Sequence, residues 1–182
     1  MSALTAVVTL GAVLLASGAA ATAGRPAAAA ATIQNVTLTI PGVTTGCTAP
    51  GGQADSVGVR SLATEILHPP AFPGQPSTSA SNSGITITKS VDACSPKIFL
   101  KAVTGDEVVQ AVITVLDPQG QPSTTFTLSN HVFITAVRAG SVGIESEPSA
   151  ELLEEVTLAY CRLELRVGVA ISSVDFCGGG VQ

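Results

Sequence analysis

Four cysteines, two histidines and a run of glutamates are the side chains of this 182-residue chain whose chemistry calls for explanation. Cys47, Cys94, Cys161 and Cys177 contain no C-x-x-C pair, so their spacing does not suit a zinc site. A lone reactive thiolate would need a histidine or a helix N-terminus beside it. An even number of cysteines in an exported chain points instead to two disulfides. Three pairings are open. Cys161 with Cys177 ties the tail to the last strand, and Cys47 with Cys94 ties an early loop to the region before a helix.

The histidines form no catalytic constellation. There is no His-Glu-x-x-His, and Gly140-Ser141-Val142-Gly143 has the wrong order for a nucleophile elbow. His131 falls on the polar face of a strand, where it is solvated or lies at an interface, and His68 sits beside Pro69 and Pro70 in a loop. Glu145, Glu147, Glu151, Glu154 and Glu155 lack the interleaved Asp and Gly of a calcium loop and read as a solvated charge run. Gly178 to Gly180 read as a flexible tail, and without a following helix they do not cradle phosphate. Asn35-Val36-Thr37 fits a glycosylation acceptor, but a strand is predicted there. No enzyme, cofactor or metal is expected.

Net charge is −5, with eight basic residues in all. None of them cluster, which excludes a phosphate-tracking surface for nucleic acid and a basic patch for an anionic membrane. The first charged residue is Arg25. Met1 to Gly24 is Ala-rich, apolar and ends in small residues, the pattern of an export signal, although no basic residue precedes it. Ala21-Thr22-Ala23 and Ala29-Ala30-Ala31 offer cleavage sites. The runner-up is an uncleaved membrane anchor.

The elements that would position these residues are mostly strands, since Val, Ile and Thr dominate. Val36, Leu38 and Ile40 alternate with threonines up to the Pro41-Gly42 turn. A second strand runs from Val57 to about Leu67. His68 to Gly84, with Pro69, Pro70, Pro73 and Pro76, is a long excursion that cannot hold a ladder. Ile85 to Val91 alternates Ile85, Ile87 and Val91 against polar residues. A short helix follows, with Ser95 as N-cap, Pro96 at its first position and Gly105 as the left-handed cap; Ile98, Phe99 and Ala102 share its buried face. Val108 to Leu116 is apolar throughout, as for a strand covered on both faces. Asp117-Pro118-Gln119-Gly120 makes a turn. Phe126, Leu128, Val132, Ile134 and Ala136 line the inner face of a long strand, and a loop carries the chain from Gly140 to about Glu154. In the last strand Val156, Leu158 and Tyr160 keep one parity while Leu163, Leu165 and Val167 keep the other. That change of phase predicts a bulge or bend near Cys161 and Arg162, so that one strand serves both walls of a barrel.

In this order the elements resemble the Hcp family, the inner-tube proteins of type VI secretion systems, over about Thr37 to Val167. Three stretches carry the resemblance. Val91-Asp92-Ala93-Cys94-Ser95-Pro96 through Thr104-Gly105, with Ala111 to Val115 behind it, is similar to the family's strand-to-helix segment. Phe126 to Ala136 with Gly140-Ser141-Val142-Gly143 is similar to its long strand and Gly-Ser loop. Val156 to Leu165 reproduces its phase-changing final strand.

The resemblance implies a mainly β fold: a barrel of two sheets with one short α-helix on its side. It also implies rings, usually of six subunits, stacked into tubes. By position His68, Pro69, Pro70, Phe72, Pro73 and Pro76 correspond to the family's ring-stacking loop. The expected organisation is a signal and spacer over 1–31, the barrel over 32–167 and a tail over 168–182. The expected product is a secreted structural protein that associates with itself and contacts other secretion or surface proteins. The alternative is a monomeric secreted binding module on the same scaffold. An export signal and disulfides depart from the family, as do the segment Pro148 to Glu155 and the tail.

Overall fold

The computed structural model describes residues 35–67, 80–142, 151–177 and 180–181. The expected export signal and spacer over 1–31 lie outside the described residues. So do Glu145, Glu147 and the loop residues His68, Pro69, Pro70, Phe72, Pro73 and Pro76.

Ten strands and one helix follow in the order β1 (Val36–Thr39), β2 (Val57–Val59), β3 (Ser61–Leu67), β4 (Ser81–Ser90), α1 (Ser95–Thr104), β5 (Val108–Leu116), β6 (Pro122–Val142), β7 (Glu151–Ala159), β8 (Arg162–Val167), β9 (Ala170–Asp175) and β10 (Gly180–Val181) among the described residues. Every pairing is antiparallel. One wall runs β10-β9-β8-β6-β5-β1-β2, and the other joins β3, β4, β7 and the far half of β6. This is the mainly β, two-sheet barrel with one helix that the sequence predicts.

Three corners let the chain pass between walls. The first is Arg60, where the single run expected from Val57 to Leu67 breaks: β2 pairs with β1, β3 pairs with β4, and the Arg60 amide donates to the Thr88 carbonyl at 2.7 Å. The second lies inside β6, where Asn130 and His131 take φ of 60° and 61°. Before them β6 pairs with β5 and β8, and after them with β7. The third is Tyr160–Cys161, between β7 and β8, where the Cys161 amide donates to the Asn130 carbonyl at 2.8 Å. The parity change read near Cys161 is this corner. Between corners, alternation sends Leu38, Ile113 and Leu128 from one wall and Ile85, Ile87, Val156 and Leu158 from the other into a shared core, each fully buried. Such burial stabilises by about 1.5–3 kcal/mol per side chain.

Other expectations are corrected by register. β4 begins at Ser81, so Ser81 to Gly84 belong to a strand that pairs with β3, and the excursion from His68 ends earlier than expected. Gly84 is required there, because φ is +85° and a Cβ would stand 2.6 Å from the Leu158 carbonyl oxygen. β5 is buried on one face and only half-buried on the other, where Gln110, Val112 and Thr114 stand, and Val109, at the register shift between Val108 and Gln110, is 87% exposed. A bulge at Thr135 shifts the β6 register between Ile134 and Ala136, so Val137 takes over packing on the core from Ala136. β6 runs on to Val142 and β7 starts at Glu151, which leaves 143–150 as the connection in place of Gly140 to Glu154. Past Val167 the sheet continues. β9 pairs with β8 along its whole length, and Gly180–Val181, expected in a flexible tail, pairs with β9.

The helix ends as predicted, on Gly105 in the left-handed conformation with its amide bonded to the Lys101 carbonyl at 3.0 Å. Its start differs. The N-cap is Cys94, and no side chain caps it; Ser95 is the first helical residue. Ile98 is buried and Ala102 packs on the core, but Phe99 is 59% exposed. Phe99 lies one residue past the Ile98 stripe, about 100° around the helix.

Candidate functional site

The strand alternation that buries Ile85 and Ile87 sends Lys89 inward as well. Lys89 has no exposed surface, and its partner across the β4–β7 ladder is Glu154, only 4% exposed. An unpaired charge here would cost several kcal/mol, so the surroundings must answer it. They do. The Lys89 ammonium donates to Glu154 Oε1 at 2.7 Å, to the Ser90 carbonyl at 2.7 Å and to Asp92 Oδ2 at 2.9 Å, with Ser95 Oγ at 3.2 Å. The three N–H groups of the ammonium therefore all have acceptors.

Ser95 completes the cluster. Its hydroxyl donates to Glu154 Oε1 at 2.7 Å and accepts from the Asp92 amide at 2.9 Å, while Asp92 Oδ1 accepts from the Cys94 amide at 2.8 Å. The side chain expected to cap the helix instead ties its first turn to β4 and β7. Sealed from solvent, Lys89 and Glu154 cannot reach a substrate; what they do is fix α1 on the barrel.

The cysteines pair as Cys47–Cys94 and Cys161–Cys177, with Cα separations of 6.2 and 5.2 Å. The first bond holds the loop between β1 and β2 against the helix N-cap. That loop is organised by Thr44, whose hydroxyl donates to the Asp55 carbonyl at 2.6 Å and accepts from the Ile40 amide at 2.9 Å. Asp55 Oδ1 in turn accepts from the Gly46 amide at 2.8 Å. The second bond closes the third corner, where Tyr160 meets Phe176 edge-on with ring centroids 5.9 Å apart. Burial pushes the Tyr160 hydroxyl above the usual tyrosine range; Thr64 opposes the shift, although it does not reach hydrogen-bonding geometry.

The remaining charged residues lie outside. His131 sits at the β6 corner with Nδ1 3.2 Å from Glu107 Oε1 and is exposed. Glu151 pairs with Arg60 and accepts from Ser90 Oγ at 2.7 Å, and Glu155 pairs with Arg138 at 2.9 Å. The glutamate run is thus not one solvated loop. Its described members alternate along β7, and Glu154 faces in. Among the described residues no group of three or more His, Cys, Asp or Glu could hold a metal ion, and no helix is long and apolar enough to cross a membrane.

What the surface offers is apolar. Along the outer side of α1, Phe99, Leu100 and Val103 are 59%, 60% and 66% exposed. Ile66 and Leu67 stand on the part of the β3–β4 ribbon that projects beyond β7, and Val167, Val169 and Ile171 stand on the β8–β9 turn. Exposed apolar residues grouped in this way mark contact surfaces.

No curated protein matches the sequence. Solved structures do. Hcp1 from Salmonella typhimurium superposes with a TM-score of 0.66 at 15% identity over 81% of this chain and 98% of its own. Hcp1 from the E. coli EAEC 042 pathovar, in a mutant form, gives 0.61 at 18% over 78% and 98%. The secreted protein Hcp3 from Pseudomonas aeruginosa gives 0.56 at 18% over 78% and 98%. At these identities the structures establish the fold. The family model described as type VI secretion system effector, Hcp, matches residues 37–166, from β1 through β8 and across all three corners. With that span matched, the chain belongs to the Hcp family.

Proposed function

We propose that this chain is a structural tube subunit of the Hcp type, exported and held by two disulfides, which associates into rings or filaments and performs no catalysis. The observation that carries this reading is the family match over 37–166, which spans both walls from β1 through β8. The rest of the molecule is consistent with it. The buried charges are consumed in holding α1, and the exposed features are apolar patches and free strand edges, the chemistry of association. Subunits meet through these edges, and successive rings stack through the segment His68 to Gly84, reached along the projecting β3–β4 ribbon.

Export is read from the apolar stretch Met1 to Gly24 and from cysteines placed to pair. It puts assembly on the far side of the membrane, after folding and oxidation. Nucleic acid is not a partner in this reading, since the full chain has eight basic residues against thirteen acidic ones and no basic cluster in its sequence.

Light scattering after size exclusion, with electron microscopy of the mature oxidised protein, tests this. Ring-sized particles are the expected result. A strict monomer at high concentration sinks the assembly claim.

A further inference from the structure

The two disulfides do different kinds of work. Cys161–Cys177 joins strands already paired from Arg162↔Asp175 to Val167↔Ala170, so the ladder keeps them together without it. Cys47–Cys94 joins an irregular loop to the residue that starts α1, across a separation of 47 residues, and no ladder backs it up. The only other described hydrogen bond from this loop to α1 is Lys97 Nζ to the Thr45 carbonyl, at 2.8 Å and exposed.

The helix has little else to hold it. It is 10 residues long, and only Ser95 and Ile98 are buried. An isolated helix in water needs about 12–15 residues to be even marginal. Phe99, Leu100 and Val103 face outward and add nothing to its attachment. The Lys89 cluster and the covalent tie at Cys94 both grip the helix start, and the turns beyond it rest on Ile98 and Ala102.

We propose that Cys47–Cys94 is a redox latch on α1. Closed, it holds the helix and its apolar face in one position. Open, it releases the helix while the strand ladders stay paired. The chain therefore becomes competent to assemble only where thiols are oxidised; that consequence rests on the ring-forming reading above, and the latch itself does not. Closure is thiol–disulfide exchange with a disulfide donor. One cysteine thiolate attacks the donor, a mixed disulfide forms, and the second cysteine displaces the donor as its dithiol. The two electrons and two protons of Cys47 and Cys94 end on the donor's sulfurs.

The test uses the mature full chain in three forms: oxidised wild type, Cys47→Ala/Cys94→Ala, and Cys161→Ala/Cys177→Ala, each followed by hydrogen exchange with mass spectrometry and by light scattering. In the first double variant, α1 amides are expected to exchange at least about tenfold faster while β5 and β6 keep their protection. The same variant loses the ring-sized species. The second double variant retains both. Unchanged α1 protection in Cys47→Ala/Cys94→Ala overturns the latch. So does joint loss of protection in α1, β5 and β6, which makes the bond a staple of the whole fold, and so does equal loosening of α1 in Cys161→Ala/Cys177→Ala. If oxidised wild type never assembles, the ring reading fails and α1 exchange alone decides the latch.

Discussion

Glu154 and Glu155 are neighbours on β7 with identical chemistry and opposite fates. Glu154 is 4% exposed and accepts from Lys89 and Ser95, each at 2.7 Å. Glu155 points outward to Arg138 at 2.9 Å, in a pair whose side chains are 75% and 41% exposed on the Arg and Glu sides. Strand parity alone separates them. The difference teaches where charge matters in this barrel. On the outer face a carboxylate competes with water for its partner. On the inner face water cannot replace a lost partner, either for the carboxylate or for the lysine opposite.

The sharpest way to break this comparison is to remove Lys89. Lys89→Ala leaves Glu154 buried with Ser95 as its remaining partner and opens a cavity besides, a loss of about 3–5 kcal/mol. Against a typical total of roughly 5–15 kcal/mol, that approaches unfolding at ambient temperature. Urea denaturation measures it. A loss below about 1 kcal/mol means that water reaches the cluster and the two faces of β7 are alike after all.

A second experiment asks whether the pair stabilises or merely satisfies itself. Lys89→Met/Glu154→Leu removes both charges together and fills most of the volume. The double variant is expected to cost less than Lys89→Ala alone, because neither partner is left stranded. Ser95 then keeps only the Asp92 amide, and thermal melts should show a modest loss. A double variant worse than the single one means that the charges themselves, through Asp92 and Ser95, hold the helix start.

Much of this was legible in the sequence, and the misses have a common cause. Period-two patterns locate the β1, β4, β6 and β7 cores, the parity change locates the third corner, and Gly105 closes the helix. What escaped was whatever depends on a partner strand. Arg60 divides one continuous β run because its two halves pair with different walls, which no local pattern reveals. Glu154 reads as part of a surface run until its register against Lys89 is known. Lys89 did leave a signal, since the series Ile85, Ile87, Lys89 has its third member on the core parity. A lysine there demands a carboxylate, and across the ladder Glu154 has the register to supply it, with Asp92 joining from the turn before the helix. Ser95 has the residue type and the Pro96 neighbour of a cap. The burial of Lys89 makes its hydroxyl more useful elsewhere. Hydrophobicity alone places Phe99 in the core, but the helix stripe is narrow, and a tube subunit can leave an apolar side chain on its outer surface.

The smallest expected effect completes the comparison from the outer face. Arg138→Ala and Glu155→Ala each remove one half of an exposed pair that bridges β6 and β7 across the Arg138↔Glu155 register position. Both groups return to water when unpaired, so no desolvation cost remains, and salt already weakens their attraction. Each variant is expected to change stability by no more than about 0.5 kcal/mol, with the difference vanishing in high salt. Urea denaturation at low and high ionic strength checks this. A salt-insensitive loss of more than about 1 kcal/mol in Glu155→Ala means that the outer carboxylate is packed and desolvated like its neighbour, and parity then no longer explains why one glutamate is structural and the next is not.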